Sequence, residues 1–170
     1  MTLELDAIAK LIIILLVSFS PITEVRGGIP LAVGWFTNNI TMLGMGVFIA
    51  VLGNLMIAPF VLYLLKYIDM FVRNSKKMPK HVKSLYIKIL DYVQKRGRKF
   101  EKYEIPALAI FVAIPLPATG AWTASLIAFL LGMNKKKALI AIELGVLGAS
   151  AIVFTATYAG FIILKRIFGL

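Results

Sequence analysis

Ser18-Phe-Ser-Pro-Ile-Thr-Glu-Val-Arg-Gly-Gly-Ile-Pro30 interrupts an apolar run that extends from Ala7 to Phe36. Pro21 and Pro30 each remove a backbone donor and crowd the turn before them. Gly27 and Gly28 loosen the chain between the prolines. Glu24 and Arg26 bring charge into the middle of an aliphatic segment. In hydrocarbon, broken backbone persists only where protein buries it or where it lines a wet cavity. Ionisable residues there are costly and mark functional sites by default. The stretch reads as the tip of a re-entrant hairpin or the gap of a broken helix.

The surrounding composition is that of a membrane protein. The chain of 170 residues is 60% hydrophobic, and its mean hydropathy is +0.89. Long apolar runs of this kind exclude an ordinary soluble domain. The net charge of +11 is concentrated, because 12 of the 19 Lys and Arg residues lie between Lys66 and Lys102. A single basic loop is the positive-inside signal of a cytoplasmic connection and not a nucleic-acid surface. The absence of cysteine excludes disulfides, zinc-thiolate sites and thiol catalysis. The acidic start, with Glu4 and Asp6, lacks the basic flank and cleavage site of a signal peptide, so the N-terminus is expected to be retained. No nucleophile set, metal cluster or phosphate-binding loop appears, so the chain is not read as an enzyme and needs no cofactor.

Outward from the opening stretch, residues 7–18 form an apolar piece of about 18 Å, which reaches only the middle of a bilayer core of about 30 Å. Residues 29–37 give a second short piece. Residues 43–65 are an uncharged span containing Gly44, Gly46, Gly53, Asn54 and Pro59. Residues 66–102 are the basic linker, and Leu85, Ile89, Tyr92 and Val93 recur there at helical spacing among lysines. Such a segment either lies on an anionic membrane surface or is a solvated connecting helix. His81, the sole histidine, sits in this linker and reads as solvated.

The second half repeats the order of parts. Residues 105–113 run into Ile114-Pro-Leu-Pro-Ala-Thr-Gly-Ala-Trp122, residues 123–131 follow, and residues 138–164 are a final span. A shift of 95 positions aligns Asn39 with Asn134 and Val51-Leu-Gly53 with Val146-Leu-Gly148. Paired broken segments in two repeats are the sequence mark of secondary transporters, whose sites lie where the breaks meet. The expected fold is therefore an all-α integral membrane protein of the cell membrane. Repeat 1 covers residues 1–65, with a hairpin over about 7–37. The linker covers 66–102. Repeat 2 covers 103–170, with a hairpin over about 105–132. Re-entrant hairpins make the repeats inverted; four kinked spans make them parallel. Both topologies place the same number of basic residues inside, but the tight lysine loop at 135–137 favours hairpins.

Residues 20–34 resemble the first signature of the small multi-drug export protein family, and residues 114–123 resemble its second. That family is similar to the larger DedA (VTT-domain) superfamily. The resemblance implies two re-entrant hairpins facing each other from opposite leaflets, with Glu24 as the hairpin acid and Pro115, Pro117 and Gly120 in the second tip. It also implies transport; some superfamily members carry polyprenyl-phosphate lipids, coupled to an ion gradient. The chain departs from the superfamily pattern in one respect. Its second tip is uncharged, and Arg26 lies in the first.

The tips carry the candidate chemistry. Desolvation favours a neutral Glu24, whereas a nearby cation favours its charge. In a Pro/Gly loop Glu24 and Arg26 are expected to converge, with Arg26 taking an anionic headgroup through its planar fork. The bland alternative is a structural ion pair that staples the hairpin. Gly27, Gly28 and Pro30 either expose amides that cradle an anion or only allow the turn. Thr119, Trp122 and Thr123 offer hydroxyls and an indole donor, although Trp122 equally suits packing. Asn54 reads as a partner of the hairpins or a link between helices. Glu143 reads equally as a proton relay or as the partner of a nearby lysine. The expected partners are membrane lipids, an amphiphilic or lipid-linked substrate, and a coupling proton or sodium ion. A cationic-drug exporter and a non-transporting scaffold are the alternatives. The glycine-lined spans are compatible with a homodimer.

Overall fold

In a computed structural model the chain is described over residues 2–75, 79–97 and 103–169. Within them it is entirely helical. Helix α1 (Thr2–Phe19) is followed by α2 (Val25–Phe36), α3 (Ile40–Leu55) and α4 (Ile57–Asn74). Then come α5 (Lys80–Gly97), α6 (Glu104–Ala113), α7 (Ala121–Leu130) and α8 (Lys135–Phe168).

Two apolar rods frame the molecule. Helices α3 and α4 together run for 35 residues over Ile40–Asn74, and α8 runs for 34 residues. Each is about 50 Å long, more than a bilayer core requires. The first rod is interrupted at Met56, three residues before Pro59. Pro59 has no N–H to give to the Leu55 carbonyl, which accounts for the fault. Both rods begin with an asparagine cap. Asn39 Oδ1 accepts from the Met42 amide at 3.1 Å, and Asn134 Oδ1 accepts from the Lys136 amide at 2.9 Å.

Each rod is preceded by a broken pair, α1 with α2 and α6 with α7. Helices α6 and α7 are 10 residues each, about 15 Å, half a bilayer core. The expected span at 43–65 extends to Asn74, so the basic linker begins inside a helix. The first break is narrower than expected, because only residues 20–24 leave the helix. Arg26, Gly27, Gly28 and Pro30 lie in the first turns of α2. The glycines remain helical because neighbours fill the space their side chains would occupy. A Cβ on Gly27 would stand 2.8 Å from Thr23 Cβ, and one on Gly28 would collide with Ser18 Oγ.

The packing has two centres. One gathers Ile14, Val25, Ile29, Ala32, Val33, Leu43 and Ala50 with Ala149 and Val153 of α8. The other gathers Leu108, Val112, Ala121, Ala124, Ala138, Ala141 and Ile142 with Ile57, Ala58 and Val61 of α4. Each broken pair thus packs on the start of its own rod and the later part of the other, so the rods run in opposite directions. Gly53 and Gly148 allow the helices before the breaks to approach. A Cβ on Gly53 would lie 3.0 Å from the Leu15 carbonyl, and one on Gly148 would lie 3.1 Å from Ala113 Cβ.

Helix α5 packs beside the end of α4. Asp69 accepts from Arg73 Nε at 2.9 Å and from the Tyr86 hydroxyl at 3.2 Å, and Leu90 is buried. Val82, Leu85, Ile89 and Tyr92 are exposed on the same helix.

Candidate functional site

The two breaks meet. Pro21 stops α1 two residues past its end, and Thr23 Oγ1 donates to the freed Val17 carbonyl at 2.6 Å. The chain then turns through Glu24, whose φ of 52° and ψ of −148° lie in a region that favours glycine. The second break contains the only other non-glycine with positive φ among the described residues, Ala118 at 65°. Backbone strain therefore sits once in each break. Residues held this way persist only where their surroundings over-determine them.

Glu24 is 4% exposed and points across to the second break. Its Oε1 accepts from the Trp122 backbone amide at 3.3 Å, in the first turn of α7. The positive end of a helix dipole favours a carboxylate there. Gly120 makes room for it, because a Cβ on Gly120 would overlap the carboxylate. Arg26 makes the complementary contact. Its Nη2 donates to Thr119 Oγ1 at 2.9 Å and to the Ile114 carbonyl at 3.5 Å, just past the end of α6. A cation at that negative end is likewise favourable. Thr119 Oγ1 in turn reaches the carbonyls of Ile114 at 2.7 Å and Leu116 at 2.8 Å. Trp122 closes the junction, with its indole Nε1 donating to the Phe19 carbonyl at 3.0 Å. Phe19, Phe60 and Trp122 form an edge-to-face trio with ring centres 5.5–6.1 Å apart.

This geometry revises the expected convergence of Glu24 and Arg26. They form no ion pair with each other; each binds the second break instead. The bland reading of a staple within one hairpin fails for the same reason. The Gly27 and Gly28 amides do not cradle an anion, because both donate to the Glu24 carbonyl, at 3.2 Å and 3.1 Å. Pro30, inside α2, leaves the Arg26 carbonyl without its helical donor. Pro115 and Pro117 shape the second break but bring no polar side chain to it. Glu143 stands half-buried on α8, with no hydrogen bond or ion pair of its own among the described residues, so the interfacial lysine pair is not formed.

Several buried polar atoms at this junction have no partner. They are Arg26 Nε, both amide atoms of Asn54, and the hydroxyl of Ser18. Asn54 is fully buried and neighbours the Glu24 carboxylate. Ser18 escaped the sequence reading. The available signal was a hydroxyl within one turn of the proline that ends its helix. An apolar cavity of about 370 Å³ opens between α6 and α7, lined by Leu108, Phe111, Ile127 and Leu131. Phe111 lies one turn before the Ile114 carbonyl that Arg26 reaches. Among the described residues, no group of three or more His, Cys, Asp or Glu side chains could hold a metal ion.

The family model described as "Putative small multi-drug export protein" matches residues 24–152, from Glu24 at the end of the first break through the whole of the second. No curated protein and no solved structure matches the chain. The two long apolar helices and the matched region together make this a membrane protein with a role in export, and the matched family is described as an export protein and not as an enzyme. The chain belongs to the small multi-drug export protein family.

Proposed function

We propose that the protein is a carrier of an anionic amphiphile, coupled to an ion, with its site where the two breaks meet. The observation that carries this reading is the state of Arg26. It is a membrane-protein guanidinium that forms no contact ion pair, held by one hydroxyl and one long carbonyl contact, with Nε buried and unpaired. Such a group is a receptor for a phosphate or carboxylate. The cleft between α6 and α7 gives an apolar chain a surface that starts at Phe111, one turn from the Ile114 carbonyl, and runs away from the break toward Tyr103 and Met133. Glu24 then serves the coupling ion. Facing re-entrant hairpins in inverted repeats are part of the same proposal. The half-length α6 and α7, the antiparallel rods and the paired asparagine caps support it.

One pair of variants tests the reading. Arg26→Ala loses binding of a polyprenyl-phosphate probe in detergent micelles, whereas Glu24→Gln retains it and loses ion-driven uptake in vesicles. The reverse pattern, with a cationic drug lost in Glu24→Gln and Arg26→Ala silent, establishes the cation exporter instead. A non-transporting scaffold shows neither probe binding nor ion-driven uptake in the unmodified chain, and both variants fold as it does. The cysteine-free chain also allows single cysteines at Asn39, Ser84 and Asn134 to be labelled from one side. Labelling at Asn134 from outside sealed cells overturns the hairpin arrangement.

A further inference from the structure

We infer that α5 lies on an anionic lipid leaflet and sets Val82, Leu85 and Ile89 among its headgroups. None of the residues at the breaks takes part, so this surface is independent of the transport reading. Helix α4 sets the depth. The apolar part of that rod ends at Leu65, and Lys66, Asp69 and Arg73 are the first charges along it. Charges at this density mark where a helix leaves hydrocarbon. At that level α5 is clamped. Asp69 accepts from Arg73 Nε and from the Tyr86 hydroxyl, and Arg73 Nη2 reaches Asp91 Oδ1 at 3.7 Å. Leu90 is buried, and Gln94 packs at the end of α7, where a Cβ on Gly132 would stand 2.9 Å from its Cγ. Tyr86, Leu90 and Gln94 are four residues apart, so one face of α5 is taken by the protein itself.

A second apolar face is left over. Val82, Leu85 and Ile89 are spaced three and four apart and stand 53–60% exposed. This row lies about a third of a turn round the helix from the docked face, and Lys88 and Lys95 lie about as far again beyond it. The row is thus flanked by protein on one side and by cations on the other. Lys80, Lys83, Lys88 and Lys95 form no ion pair among the described residues, and Asp91 is the one acid of the helix. Lys135 and Lys136 follow Gly132 closely and add positive charge on the same side. Water satisfies the lysines but not the aliphatic row. A second copy of the chain would cover the row but set lysine against lysine. A leaflet that is apolar within and negative at its surface answers both.

The test is the depth of a probe on the full chain in lipid vesicles. The chain has no cysteine, so Ile89→Cys and Ser84→Cys each carry a single bimane label, one on the apolar row and one away from it. Both positions are exposed, so neither change disturbs the core. In vesicles of phosphatidylcholine with about 30% phosphatidylglycerol, a lipid brominated on its acyl chain quenches the Ile89 label at least about twofold more than the Ser84 label, and aqueous iodide does the reverse. In pure phosphatidylcholine, or with Lys88→Gln and Lys95→Gln together, that difference falls by about half or more. Leu85→Cys, on the same row, repeats the Ile89 pattern. Equal quenching at Ile89 and Ser84 overturns the inference, because α5 is then a solvated connector. An Ile89 label shielded from both quenchers overturns it too, because protein then covers the row. A difference that does not respond to phosphatidylglycerol overturns the anionic leaflet as its partner.

Discussion

The two breaks do the same mechanical job with opposite materials. Each ends one helix, starts another and holds one non-glycine residue at positive φ. The first break and the turn after it supply the charges, Glu24 and Arg26. The second supplies no charge but presents both ends of its own helices, the amides at the start of α7 and the carbonyls at the end of α6. Acid meets amide end and base meets carbonyl end, so a pair of opposite charges is neutralised without touching itself. The lesson is that an uncharged partner can answer charge with helix ends. Such a lock is separable, because each contact is modest on its own.

The largest expected effect breaks this correspondence sterically. Gly120→Val fills the space of the Glu24 carboxylate, and overpacking of this kind costs about 1–3 kcal/mol, rising further if the charge is left unpaired. Thermal unfolding in detergent should show a clear drop in midpoint. Next, a double-mutant cycle on Arg26→Ala and Thr119→Val measures the charge-assisted bond across the breaks. A coupling of about 1–2 kcal/mol is expected, and additivity would show that the two residues act independently. Trp122→Phe keeps the aromatic trio and removes only the bond to the Phe19 carbonyl. A loss of about 1 kcal/mol is expected in the same unfolding assay. The smallest effect sharpens the comparison instead. Ala118→Gly relieves the left-handed backbone of the second break and should be neutral or stabilising by up to about 1 kcal/mol. A clear loss of stability in this variant would mean that the Ala118 methyl, and not its backbone, is what the break needs.

Much of this arrangement was legible in the residues. Proline in an apolar run marked both breaks and charge marked the first, and the shift of 95 placed Asn39 and Asn134 in register, where both cap rods. Less legible was where each break ends. Gly27, Gly28 and Pro30 read as breakers, yet they fold inside α2 because Thr23, Val17 and Ser18 pack where side chains would stand. Local propensity yielded to tertiary fit. The partners of Glu24 and Arg26 were not legible either. Two residues so close in sequence were expected to meet, but their contacts lie 88–98 positions away and depend on how the halves dock. The hydroxyl of Ser18 left only its place within one turn of Pro21 as a signal, and its burial depends on how the helices pack.

That long separation has a consequence for biosynthesis. Glu24 and Arg26 leave the ribosome well before Ile114, Thr119 and Trp122 exist. At about 5–20 residues per second, the first half waits on the order of 5–20 s with both charges unanswered. During that interval the nascent chain must keep its first break near water or in the care of an insertion factor. Docking of the first break therefore waits for the arrival of α6 and α7.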